Sequence, residues 1–217
     1  RATVRGITRV QTRLHGTKRA AIERSRPSSI PSVASGSIRG RCGRMPRYDA
    51  STADVFVLSF KDGMLAKLAH DLKMKVGSFS IDIDEATKGI TAQFDARSVK
   101  VVCRRKDGRD ESGGLSSFEI GQIDGNIQND VLETKKHTDI RFVSTSVEGS
   151  GDAYTVRGDL TLHGKTRSIS ANVKKQGSRF VTEVRLHQPD FGIKPYSAAL
   201  GALKVQADVI VEVSVPA

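Results

Sequence analysis

The 217-residue chain contains no tryptophan, has only 5% aromatic residues and holds just two cysteines, Cys42 and Cys103. So few cysteines exclude a disulfide framework and any cysteine-based metal motif. Cys103 lies in a strand-like run and is expected to act as a small buried hydrophobe. Also missing is an unbroken apolar run long enough to span a membrane, and no apolar core of a secretory signal is found. A cytoplasmic location is the expectation on those grounds.

Acidic residues are scarce in one place. Residues 1–47 hold 12 of the 35 Lys+Arg and one of the 24 Asp+Glu (Glu23), so the net +11 is theirs and residues 48–217 balance to zero. The sequence pI near 9.9 therefore does not make the remainder a nucleic-acid binder. Rich in Arg, Ser and Gly and without sustained apolar periodicity, the 1–47 segment is expected to be disordered. Three accounts of it compete: translation upstream of a natural start at Met45, a basic arm for nucleic acid, or an organellar transit peptide. The first is preferred. The arm is the weakest, because no aromatic residue is interleaved with its bases.

Residues 48–217 read as strands almost throughout. In "VQADVIVEVSV", Val205, Ala207, Val209, Val211, Val213 and Val215 share one face, since side chains alternate across a strand. "AYTVRGDLTLH", "RSISANVK" and "RFVTEVRLH" repeat the alternation, separated by "EGSGD", "HGK" and "QGS". From Asp139 to His187 this spacing predicts a four-stranded antiparallel meander. Nearer the N-terminus the alternation slips at Gly77-Ser78 and again between Ala96 and Val99, as bulges or bends would make it do.

Two segments have helical spacing: "GMLAKLAHD", and "FEIGQIDGNIQNDVL" with Ile120, Ile123, Ile127 and Val131 on one face. The two glycines in the second cost about 1 kcal/mol each, so packing must hold it. "RRKDGRDESGG" is read as a solvated loop. Eight or nine strands with two short helices suit a closed or nearly closed antiparallel barrel. Small inward residues (Val, Ala, Ile) fill such a barrel poorly and favour a cavity. Parity puts Phe79, Ile81, Phe142, Val156 and Leu160 on the candidate lining face, together with Leu162, Val184, Val209 and Val211.

"GDLTLHGKTRSISANV" resembles the signature hairpin of the YceI-like family of polyisoprenoid-binding, lipocalin-like barrels, through Asp159, Leu160, Thr161, His163, Gly164 and Thr166. "FKDGMLAKLAHDLKMKVGSFSIDID", "VLETKKHTDIRFVS" and "DFGIKPYSAALGALKVQADVIVEVSV" resemble further family segments in the same order, the last a closing segment of the branch with His-Asp-Leu near the start, here His70-Asp71-Leu72. The resemblance implies an all-β domain over 48–217. Its form would be an extended eight-stranded antiparallel barrel whose hydrophobic tunnel binds a polyprenyl lipid or isoprenoid quinone, without covalent chemistry, catalytic residues, cofactor or metal. Many relatives carry a signal peptide, which is not found here. A homodimer is left open.

His163-Gly164 is read as a hairpin turn, because His tolerates left-handed backbone and Gly supplies the second positive φ. His70 is read first as a helix-end residue beside Asp71, and second as a polar group at the barrel mouth with Asp71. His137, beside two lysines, is expected to be exposed, and His187 and Asp190 with His70 make only a weak metal set. Phe191 and Tyr196, in "FGIKPYSAALG", belong to a plug or a ligand-controlled lid. Two alternatives stand beside lipid carriage: an interaction barrel with a filled core, and an enzyme using His70 and Asp71.

Overall fold

The computed structural model describes residues 45–62, 70–198, 200 and 203–217. Most of the basic segment and of the helix expected in "GMLAKLAHD", together with Cys42, lies outside the described residues. The first strand straddles the boundary drawn at 47. Arg47–Asp49 forms strand β1, and Ile83 N–H donates to the Pro46 carbonyl at 3.1 Å.

Strands β2 (Asp54–Asp62), β3 (Asp71–Val76), β4 (Phe79–Ile83), β5 (Ile90–Asp95), β6 (Val99–Lys106) and β7 (Arg109–Glu111) precede helix α1 (Ser117–Asn126). After it come β8 (Asp139–Ser150), β9 (Ala153–Leu162), β10 (Lys165–Gln176), β11 (Arg179–His187), β12 (Ser197–Ala198) and β13 (Leu203–Pro216). All thirteen belong to one antiparallel sheet of order β1-β4-β5-β8-β9-β10-β11-β13-β2-β3-β6-β7, with β12 paired to β13. The sheet curls, so that Val211, Val213 and Val215 of β13 pack in the same cluster as Ile81 of β4 and Phe142 of β8.

The predicted meander is β8 to β11, and its turns are tight. His163 (φ 51°) and Gly164 (φ 73°) make the two-residue β9–β10 turn, the left-handed pair that matches strand twist. Gly158 in β9 answers a different need: a Cβ there would fall 2.5 Å from Phe142 Cζ, so its missing side chain seats the Phe142 ring on the inner face.

Both phase slips are bends. β3 passes into β4 across Gly77-Ser78, and β5 into β6 across a 3₁₀ turn, Ala96–Ser98, capped by Asp95. The bends face each other. Gly77 N–H donates to the Ser98 carbonyl at 3.1 Å and Asp95 N–H to the Ser78 carbonyl at 3.0 Å. "RRKDGRDESGG", expected to be a loop, is instead a hairpin of β6 and β7 turning at Asp107 (φ 51°) and Gly108 (φ 77°). The Asp-Gly pair is the signal for this turn, and a run of charge hid it.

Helix α1 starts with a capping box: Ser116 Oγ accepts from Glu119 N–H and Glu119 Oε2 accepts from Ser116 N–H at 2.8 Å. It continues as a π turn, Ile127–Val131. Packing holds the glycine-bearing helix as expected, with Ile120, Ile123 and Ile127 against the core. Polar bonds fix it to β6 as well. Asp124 Oδ1 accepts from Val101 N–H at 2.9 Å, and Gln128 Nε2 donates to the Val99 carbonyl at 3.0 Å. An otherwise unpaired strand edge is thereby covered. No helix among the described residues is long and apolar enough to cross a membrane.

Candidate ligand cavity

The inner face of the curled sheet does not fill. It encloses a cavity of about 730 Å³, within the 300–1,000 Å³ typical of small-molecule sites. Alternation explains its wall: Tyr154, Val156, Leu160 and Leu162 of β9, Val184 and Leu186 of β11, and Val205, Val209, Val211, Val213 and Val215 of β13 all line it. Ala207 is missing from that series. The pairing of β13 with β2 shifts between Val205 and Val209, and this bulge takes the 207 side chain out of phase.

Ile81, Phe142, Val156, Leu160, Leu162, Val184, Val209 and Val211 line the cavity. Phe79 does not, and its assignment is corrected: it is buried beside the Gly77 bend, its ring 5.9 Å from that of Phe94, in the packed core. The bend moves β4's first residue away from the space that Ile81 reaches.

Apart from Ser59, Thr182 and Gln188, the polar groups of the lining include two sets. Asp84, Glu85 and Lys88 come from the β4–β5 turn, while His70, Gln122, Asn126 and Tyr196 come from the α1 side. There, Asn126 Nδ2 donates to Tyr196 Oη at 3.1 Å. Asp71 is not part of the lining. Its Oδ1 accepts from the Lys61 N–H at 2.8 Å, tying β2 to β3, so His70 and Asp71 do not form a joint polar group facing the cavity. His70 instead lies close enough to Glu111 and Glu119 to help hold both carboxyls below their ordinary range, after Arg104 and Ser116 respectively. Phe191 (2% exposed) and Ile193 close the wall from the segment after β11, with Tyr196. His187 bonds Asp208 at 2.7 Å, not Asp190.

A separate polar cluster lies at the β9–β10 turn. His137, expected to be exposed, is half-buried, and its ring centroid stands 4.0 Å from that of His163. Glu133 Oε2 lies 3.4 Å from His163 Nε2, and Glu133 Oε1 accepts from Lys136 Nζ at 2.9 Å. Burial first, then His137, pushes the His163 ring below the ordinary histidine pKa. A hydrogen bond from Lys136 holds Glu133 below its own ordinary value. Neither the Glu133 partnership nor the approach of His137 is visible in local spacing. The turn chemistry that explained His163 gave no reason to look for neighbours.

The geometry defines a class: an all-β protein whose curled antiparallel sheet encloses an apolar cavity. A model of the YceI-like domain matches residues 48–217, and the chain belongs to that family. It is 35% identical over 91 residues to a UPF0312 protein of Pseudomonas putida, covering 37% of this chain and 47% of that protein. Against Protein YceI of Escherichia coli O157:H7 it is 33% identical over 94 residues, 39% and 48% of the two chains. The chain thus spans about half the length of these curated relatives. The crystal structure of BcnA from Burkholderia cenocepacia is similar with a TM-score of 0.54 at 16% identity, over 78% of this chain and 98% of that one. That is a likeness of fold.

Proposed function

We propose that this protein binds and carries a long isoprenoid-type lipid, a polyprenyl lipid or an isoprenoid quinone, in a hydrophobic tunnel and without covalent chemistry. The observation that carries the reading is the apolar cavity of about 730 Å³. Its shape matters as much as its size. Along β13 the wall extends from Val205 to Val215, about 30 Å at the rise of a strand, whereas a sphere of equal volume would be only about 11 Å across. A slender chain suits such a space better than a compact ring system.

On this reading the bent pairs β3–β4 and β5–β6 each count as one ribbon, and with β2, β8, β9, β10, β11 and β13 they make an eight-stranded barrel. The hydrogen bonds across the two bends support that closure. Each CH₂-sized increment moved from water into the tunnel gains about 0.8 kcal/mol, so several isoprene units offset the cost of association. The polar side chains on the α1 side, Gln122, Asn126 and Tyr196 with His70, hold a polar head group, while Phe191 closes the wall and Tyr196, bonded to Asn126, acts as the plug of that mouth. A filled-core interaction barrel is disfavoured by the void, and an enzyme built on His70 and Asp71 by the diversion of the Asp71 carboxylate to the Lys61 amide.

The test is to purify the chain without detergent, extract it with organic solvent and identify the lipid by mass spectrometry. Leu160→Arg, placing a charge on the inner face, is expected to abolish loading. Equal recovery from both forms, or no lipid from either before and after incubation with polyprenol vesicles, overturns the reading.

A further inference from the structure

The cluster at the β9–β10 turn is independent of the cavity's lipid. Glu133, His137 and His163 each offer a nitrogen or oxygen within 4.8 Å of the other two. Two imidazoles and one carboxylate are a borderline donor set that suits zinc-class ions, whereas calcium and magnesium take all-oxygen shells. We propose that these three side chains form a Zn²⁺-binding site with one coordination position left open.

Four observations carry it. First, His163 Nε2 is buried and makes no well-formed hydrogen bond, the only such side-chain atom among the described residues, although Glu133 Oε2 approaches it at 3.4 Å; a cation between the two would satisfy both. Second, the backbone is shaped around the cluster. Glu133 (φ 43°) takes a left-handed conformation, which non-glycine residues adopt at a cost and which concentrates at functional sites, and the β9–β10 turn separately fixes that of His163. Third, His137 Cε1 would lie 3.3 Å from a Cβ on Gly164, so the bare glycine lets that ring close on its neighbour. Fourth, Lys136 occupies Glu133 Oε1 and leaves Oε2 turned to His163, the outer-sphere arrangement that orients a ligating carboxylate.

Zinc bonds of about 2.0–2.1 Å set tetrahedral ligand atoms about 3.4 Å apart, so the 4.8 Å spread closes with modest side-chain rotation. The side chains are unequal in exposure, 11% for His163 and 39% for Glu133, so the open position faces the Glu133 side.

The experiment uses the full chain with any affinity tag removed. Calorimetric titration with Zn²⁺ and visible absorption with Co²⁺ are expected to give one ion per chain and a tetrahedral cobalt spectrum. His137→Ala and His163→Asn, the latter because Asn tolerates left-handed backbone, are each expected to weaken binding by more than about 100-fold. His187→Ala, a control beside Asp208, leaves binding unchanged. Zinc-edge X-ray absorption of the unmodified chain, which needs no variant to fold, is expected to show two imidazole ligands. The proposal is overturned by the absence of micromolar binding, by full affinity in either variant, or by fewer than two imidazoles at the metal.

Discussion

The two halves of the sheet use the same alternation of apolar and polar residues for opposite ends. Thirteen of the nineteen buried apolar side chains of the described residues lie between Ala53 and Cys103, and only four in the meander β8 to β11. In the first half, α1 and the bent ribbons press onto the inner face, and Val55, Leu72, Met74 and Val76 are buried in one core cluster although they also border the cavity. In the meander, several inward side chains that line the void stay half-buried, as Val184 and Tyr154 do. The first half holds most of the fully buried core, while both halves wall the void.

Matched substitutions sharpen that contrast. Deleting the same atoms from each half should cost different amounts, because the more completely buried side chain loses more apolar burial and more contacts. Val55→Ala, at a side chain 1% exposed, is expected to lower unfolding stability by about 2 kcal/mol. Val184→Ala is expected to cost less than about 1 kcal/mol, since its neighbours already face empty space. Chemical denaturation of the two variants measures the difference, and equal losses would break the comparison.

Filling the void is the converse. Ala171→Phe, on the lining of β10, is expected to reduce bound lipid severalfold while changing stability by no more than about 1 kcal/mol, because it overpacks nothing. Extracted lipid and the denaturation midpoint from one preparation report both quantities. A large stability loss with unchanged loading would place residue 171 in a packed region.

The smallest effect concerns the β6–β7 hairpin outside both regions. A hydrogen bond from Lys73 at 2.7 Å, with Arg105 at 3.0 Å, holds the Asp110 carboxyl below its ordinary range. A depressed folded-state pKa means stability that is present above about pH 4 and lost as pH falls through the folded value. The side chain is 42% exposed, so solvent screening leaves no more than about 0.5 kcal/mol. Asp110→Asn is expected to remove that much at neutral pH and nothing near pH 2, read from denaturation midpoints at the two conditions.

The meander was legible because period-two alternation and glycine turns are local signals, and the His163-Gly164 turn was legible for the same reason. The slips at Gly77 and Ala96 showed as broken phase, although phase alone did not reveal that the two bends face each other. Features set by distant partners stayed hidden. β1, three residues of Arg-Tyr-Asp, is a strand only because β4 offers an edge. Phe79 shares Ile81's parity yet leaves the lining, because a bend displaces it. Ala207 drops out of its stripe because of a bulge, and Glu133 meets His163 only through tertiary placement. Strand parity assigned faces correctly wherever the strand stayed regular.

The account rests on an oily chain occupying the space between the meander and β13. Intermolecular NOEs in a complex of methyl-labelled protein with a polyprenol address that most directly. The expected result is cross-peaks from the isoprenoid methyls to Leu160, Val184 and Val211, with none to Val102 on the outer face. A bound lipid that touches only exposed methyl groups would contradict it.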